Sequence, residues 1–218
     1  MPTLNPTADG AIGARTTLYS TLLLSPSGKN LFDSVEQGDG LTDTGVQSSI
    51  HSAAVSTGGF NLRQTYMEFD TSTISSATSA QLKIFITEKT SAFDIIVCKG
   101  TFSGTPSTSF FNDFTRLVTY SSATTLGSAS AYMTITLNAS ALIDIVNNSS
   151  FKLMIVDVDH CFNEETPDAD VNNAVNIRYR DTSTDTKPEL VIGDAPPSRA
   201  GTIKLVGHVQ LSEGLISI

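Results

Sequence analysis

QLKIFIT, residues 81–87, alternates strictly: Leu82, Ile84 and Ile86 fall on one side of an extended chain, Gln81 and Lys83 on the other. Successive side chains of a strand point to opposite faces, so this period of two marks a strand with one face buried and one face wet. Met133–Leu137 (MTITL) repeats the pattern, with Met133, Ile135 and Leu137 inward and the two threonines outward. Thr65–Phe69 (TYMEF), Asp94–Lys99 (DIIVCK), Val175–Arg180 (VNIRYR) and Pro188–Ile192 (PELVI) predict further short strands. Leu18–Leu24 reads as another, stopped by Ser25-Pro26-Ser27-Gly28. Phe151–Val158 (FKLMIVDV) is apolar on both faces, as a central strand would be. One short helix is expected over Ala139–Val146, capped by Asn138 or Ser140 and ended by Asn147-Asn148. Many short strands punctuated by Ser, Thr, Gly and Pro predict an all-β, antiparallel β-sandwich, jelly-roll-like, with a C-terminal β extension.

Composition agrees. The chain has 218 residues, enough to bury one full core. Ser and Thr make up about a quarter of it, well above ordinary usage, and suit solvated strand faces and turns better than long helices. The formal net charge is −9, the isoelectric point about 4.6, and no Lys/Arg cluster occurs. Such a surface repels phosphates, so nucleic acid is not an expected partner. No apolar stretch approaches the roughly 20 residues of a membrane-spanning helix, so a membrane is not expected either. Cys98 and Cys161 lie far apart with no metal-ligand spacing around them, and free buried thiols are the expectation. The opening Met1-Pro2-Thr3-Leu4-Asn5-Pro6 lacks a basic and then apolar signal segment, so synthesis in a cytoplasm without secretion is expected.

Two parts are predicted: a sandwich domain over 1–193 and a linker with a docking tail over 194–218. Within the first, Asp33–Gly59 is rich in glycine and reads as a long loop with a short strand such as Gly45–Ile50 hidden in it; loops of that length tend to contact a partner. Asp194-Ala195-Pro196-Pro197-Ser198-Arg199 then breaks the pattern. Thr202–Val206 and Val209–Leu211 read as two strands of a tail too small for its own core. Ile203, Leu205, Val209, Leu211, Leu215, Ile216 and Ile218 are therefore the candidate subunit contacts.

No catalytic constellation is expected. His51, His160 and His208 sit in different segments, and no G-x-S-x-G elbow exists. The acidic stretch from Asp157 to Asp170 is weighed separately. Calcium takes six to eight oxygen ligands, and Asp157, Asp159, Glu164, Asp168 and Asp170 are the candidates to supply them. The stretch lacks the D-x-D-x-D-G order of a calcium loop, and solvated charge on a sandwich rim is the commoner explanation. Asp70 is expected to form a turn. Sugar rings stack on exposed aromatic faces, yet the chain has no Trp and five Tyr. Phe110, Phe111 and Phe114 are the rings expected to stand partly exposed.

Tyr66, Phe69-Asp70-Thr71-Ser72 and Ile74 form a Y-x-x-F-D-x-S-x-I pattern, followed by Ala80, Leu82 and Ile84 as A-x-L-x-I. Pro188–Ile192 supplies a P-x-L-x-I ending, and Pro6-Thr7-Ala8-Asp9 a P-T-A-D opening. From about residue 5 to 193 the chain resembles the DNRLRE-type β-sandwich modules, found in bacterial surface proteins and in bacteriophage structural proteins. It departs from them in having only Arg63 where they carry an Arg-rich approach to the F-D strand. The motifs of the resemblance mostly describe packing and bear on the fold; a sandwich without a signal segment and with an apolar tail is expected to be a non-enzymatic structural protein of a bacteriophage virion (a capsid decoration, fibre or tail-associated protein) acting through subunit contacts as a homo-oligomer among other virion proteins. The alternative is a carbohydrate-binding or adhesive module of a bacterial surface protein, facing a surface glycan.

Overall fold

A computed structural model of the chain describes residues 1–16, 18–20, 36–37, 47–55, 59–104, 107–168, 172–178 and 186–193. Thirteen strands run through them: β1 (Thr3–Leu4), β2 (Ala8–Thr16), β3 (Glu36–Gln37), β4 (Gln47–Val55), β5 (Gly59–Asp70), β6 (Ser79–Lys89), β7 (Asp94–Gly100), β8 (Phe114–Thr119), β9 (Thr124–Thr125), β10 (Ala131–Thr136), β11 (Ser150–Asp157), β12 (Asn172–Arg178) and β13 (Glu189–Gly193). The helix α1 spans Ala139–Asn147. A 3₁₀ turn at Thr108–Phe110 and a π-helical turn at Val158–Phe162 complete the elements. Among the described residues no helix is long and apolar enough to cross a membrane.

Register separates the strands into two sheets. β6 pairs β10 over 81–86 and β13 over 79–83, so these neighbours must lie on opposite edges; β1 then flanks β13. β5 pairs β2 along one edge and β11 along the other; β7 follows β11, and β8 and β9 follow β7. All pairings are antiparallel. β4 and β12 join the two layers: β12 continues the β13 edge of β6, β4 continues the β11 edge of β5, and the two pair with each other. The result is an antiparallel β-sandwich laced together along one side, as the alternating strands predict.

The alternation builds two apolar layers. Leu82, Ile84 and Ile86 of β6 and Met133 and Ile135 of β10 face Met67, Phe69, Ile95, Val97, Phe151, Leu153 and Ile155 of the other sheet, forming the inter-sheet core. The opposite face of that second sheet is also covered. Leu62, Tyr66, Ile96, Cys98, Met154 and Val156 point outward into a further layer of Phe102, Phe110, Phe111, Phe114 and Cys161. β11 therefore reads apolar on both faces because both are buried. Phe102 stacks on Phe110 at 4.7 Å, and Tyr66 meets both rings edge-on at 5.7 and 5.4 Å.

Four expectations change. Phe110, Phe111 and Phe114 are buried rather than partly exposed, because residues 107–114 lie over β5 and β7. Tyr19 and Ser20 are helical rather than the start of a strand, and residues 21–24 lie outside the described ones. The strand expected to be hidden at Gly45–Ile50 in the glycine-rich 33–59 stretch is present but longer, as the nine-residue β4, and the two-residue β3 is added to it. β1, β2, β8 and β9 form where no strand is expected. By contrast α1 forms as expected: Asn138 Oδ1 accepts the Ala141 N–H at 3.2 Å. Asp70 forms its turn, accepting the Ser72 N–H at 2.9 Å.

Candidate functional site

The acidic stretch begins where β11 runs into the π-helical turn. Asp157 is buried there, with Oδ1 accepting the backbone N–H of His160 at 2.7 Å and Oδ2 accepting the Asn173 amide at 3.1 Å. Its carboxylate thus caps the turn and ties it to β12. Tyr19 donates its hydroxyl to the His160 carbonyl, and His160 Nδ1 lies 2.9 Å from the Glu165 carbonyl. Asp159 and Asp168 are exposed, while Glu164 pairs with Arg116 at 3.2 Å. Asp170 lies outside the described residues. Among the described residues, no three His, Cys, Asp or Glu side chains gather as metal ligands would.

Beneath this turn the second apolar layer carries a polar seam. Gln64 donates to Cys161 Sγ at 3.2 Å and to Asn112 Oδ1 at 2.6 Å, and accepts the Asn112 N–H at 2.8 Å. Arg116 donates to the Cys161 and Phe162 carbonyls at 2.9 and 3.2 Å. Both cysteines are free and buried, as expected. Burial pushes each thiol up to about 12, so neither is a ready nucleophile.

A polar cleft of about 480 Å³ opens at the end of β7 and β11 beside α1. Lys99, Tyr120, Asp144, Asn147, Asn148 and Lys152 line it. Lys99 Nζ is 2.8 Å from Asp144 Oδ2, and the Tyr120 hydroxyl donates to the same oxygen at 2.5 Å. Lys152 donates to the Phe102 carbonyl at 3.0 Å and pairs with Glu68 at 3.7 Å. Burial pulls the Asp144 carboxyl up, but the Lys99 and Tyr120 hydrogen bonds, the Lys99 charge and the Asn148 amide together hold it below its usual value. Burial, and then Asp144, push the Tyr120 phenol up. The cleft offers amides, an ammonium and a carboxylate to hydroxyl-bearing ligands. It offers no ring face, since Tyr120 and Phe151 are both buried. No spacing in the sequence announces it: its residues come from three stretches, 99–100, 120 and 144–152, brought together by the β7–β11 ladder and α1.

One run of the sequence differs from the rest in charge. The 27 residues between Arg116 and Asp144 include no charged side chain, in a chain of net charge −9. Three of the five large apolar side chains that stand exposed among the described residues lie in this run: Leu117 at 95%, Tyr132 at 40% and Ile143 at 60%. Asn138, just after β10, donates from its backbone and its amide to the Tyr120 and Thr119 carbonyls at the end of β8, at 2.8 and 2.7 Å. The edge strands of the two sheets therefore meet at their ends. The tail residues Ile203, Leu205, Val209, Leu211, Leu215, Ile216 and Ile218 lie outside the described residues.

No protein-family model matches the chain, and no curated protein matches it.

Proposed function

We propose that this chain is a non-enzymatic structural protein of a bacteriophage virion, a decoration, fibre or tail-associated subunit that acts through contacts with its own copies and with other virion proteins. The observation that supports this reading is the uncharged run from Leu117 to Ile143. A surface of one charge sign holds copies apart, and a run that carries no charge of its own while exposing Leu117, Tyr132 and Ile143 suits contact with another protein. The DNRLRE-type resemblance takes in bacteriophage structural proteins, and the apolar tail from Ile203 to Ile218 offers further contacts. The test is density-gradient fractionation of the native source with mass spectrometry of each fraction. Co-sedimentation with particles through high salt is expected; recovery with cell envelopes or free in the medium overturns the virion role.

A second reading, a carbohydrate-binding or adhesive module, is favoured by the cleft between Lys99, Asp144 and Lys152. Its exposed Asn147 and Asn148 amides suit sugar hydroxyls. The buried state of Tyr120 and Phe151 weighs against it, because sugar sites commonly stack a ring on an aromatic face. Glycan arrays with the wild type and a K99A variant decide it: glycan binding lost in the variant supports this reading, and no binding removes it.

A further inference from the structure

Each charge that lines the cleft at the end of β7 and β11 is paired. Lys99 is matched by Asp144 at 2.8 Å and Lys152 by Glu68 at 3.7 Å. A carboxylate or sulfate group entering the cleft meets Asp144 beside Lys99, and an amine meets Lys99 beside Asp144. For either ligand, attraction to one partner is offset by repulsion from the other. An apolar ligand fares no better, because it strips water from ammonium, carboxylate and amide groups and returns no hydrogen bond. The charge balance therefore selects a neutral ligand that can both donate and accept.

Pairing also leaves hydrogen-bonding capacity in the cleft. An ammonium group carries three donors, and Lys99 spends one of them on Asp144. Asn148 donates its amide to the Asp144 backbone carbonyl at 2.9 Å and to Asp144 Oδ1 at 3.3 Å, which leaves its own amide oxygen as an acceptor. Asn147 and Ser149 are exposed, and neither side chain hydrogen-bonds to a described residue. A hydroxyl is donor and acceptor at once, so one hydroxyl can accept from Lys99 while it donates to an amide oxygen. Hydrogen bonds from a charged donor such as Lys99 are the stronger kind.

We propose that this cleft binds a neutral sugar, held by its hydroxyl edge through Lys99, Asn147, Asn148 and Ser149 rather than by stacking on a ring. Its volume of about 480 Å³ lies within the roughly 300–1,000 Å³ that small-molecule sites occupy. The burial of Tyr120 and Phe151 removes an aromatic face, and so assigns recognition to the polar groups alone. The inference deepens the carbohydrate-binding reading above and rests on it.

The test is a glycan array probed with the full chain. Neutral hexose, deoxyhexose and N-acetylhexosamine glycans stand beside sialylated, uronate-bearing and sulfated ones. Saturation-transfer NMR then follows each bound glycan with the wild type and with an N147A/S149A double variant. Both positions are exposed and carry no hydrogen bond of the fold, and thermal unfolding confirms that the variant is folded. The expected result is binding of neutral glycans, unchanged from low to molar salt and weakened about tenfold in the double variant. Binding confined to charged glycans, and lost with salt, overturns the inference while the carbohydrate-binding reading stands. Neutral binding untouched by N147A/S149A places the sugar elsewhere and likewise overturns it. A chain that binds no glycan removes that reading and this inference with it.

Discussion

Lys99 on β7 and Asp144 on α1 meet at 2.8 Å, a tie that fastens the helix to the second sheet. The Asp144 pKa is depressed: burial alone would raise it, but the Lys99 and Tyr120 hydrogen bonds outweigh that. With a folded value below the unfolded one, the unfolded chain binds more protons across that interval. The stabilisation is whole above the ordinary aspartate value of about 3.9 and fades as pH falls through the folded value. D144N should thus be less stable than the wild type at neutral pH, with the gap closing below about pH 4. Lys99 is partly exposed, so the neutral-pH gap is modest. Urea unfolding of both proteins at neutral and acid pH checks this; a gap that stays constant would assign the effect to packing.

Asp157 satisfies two donors inside the fold, the His160 N–H and the Asn173 amide. D157A leaves both without their acceptor and should cost about 1–3 kcal/mol, while D157N, which keeps one carbonyl oxygen, should cost less. Thermal unfolding resolves the order. Because both Asp157 oxygens are already engaged, added calcium should leave the melting temperature of the wild type unchanged. A calcium-dependent rise would instead reveal binding to the folded state.

The outer aromatic layer is expected to carry stability comparable to a core. F102A removes the ring that stacks on Phe110 and meets Tyr66, and should cost about 3–5 kcal/mol. G100A approaches the same ring from the other side: a Cβ there would lie 2.5 Å from a Phe102 ring carbon and should cost about 1–3 kcal/mol by overpacking. L117A, at a side chain 95% exposed, should change stability by no more than about 0.5 kcal/mol. Denaturant midpoints of the three variants test the contrast; an F102A cost near that of L117A would mean the layer is not packed.

These expectations also mark what the residues disclose in sequence. QLKIFIT and MTITL show their buried faces because one side of each strand is wet, and the two prove to be neighbours, β6 and β10. FKLMIVDV discloses a central strand but not what covers its second face, since that cover comes from Phe102, Phe110 and Phe111, far away along the chain. β2 hides because ADGAIGART is built from small residues with no apolar period. Gly13 passes so close to Arg63 that a Cβ would lie 2.9 Å from Cγ of that side chain. The Lys99–Asp144–Lys152 cleft is illegible for a different reason. Its groups are ordinary surface residues one at a time, and only the ladder and the helix bring them together. The acidic stretch misleads in the same way, because Asp157 turns inward as a cap while Asp159 and Asp168 stay in solvent.

Cys98 and Cys161 give a probe of how that outer layer opens. The thiolate is the reactive form, and burial pushes both thiols up to about 12. At mildly alkaline pH almost none is ionised, and both sulfurs are shielded from solvent besides. A disulfide reagent should therefore label neither thiol in the native protein and both in guanidinium. Slow native labelling would report local opening, and the two sites need not open together. Cys161 lies in the π-helical turn that Asp157 caps, whereas Cys98 is held within the β7–β11 ladder. D157A should accordingly speed labelling of Cys161 and leave Cys98 near its wild-type rate, with peptide mass mapping to tell them apart. Equal acceleration at both would mean that the turn and the ladder open as one unit.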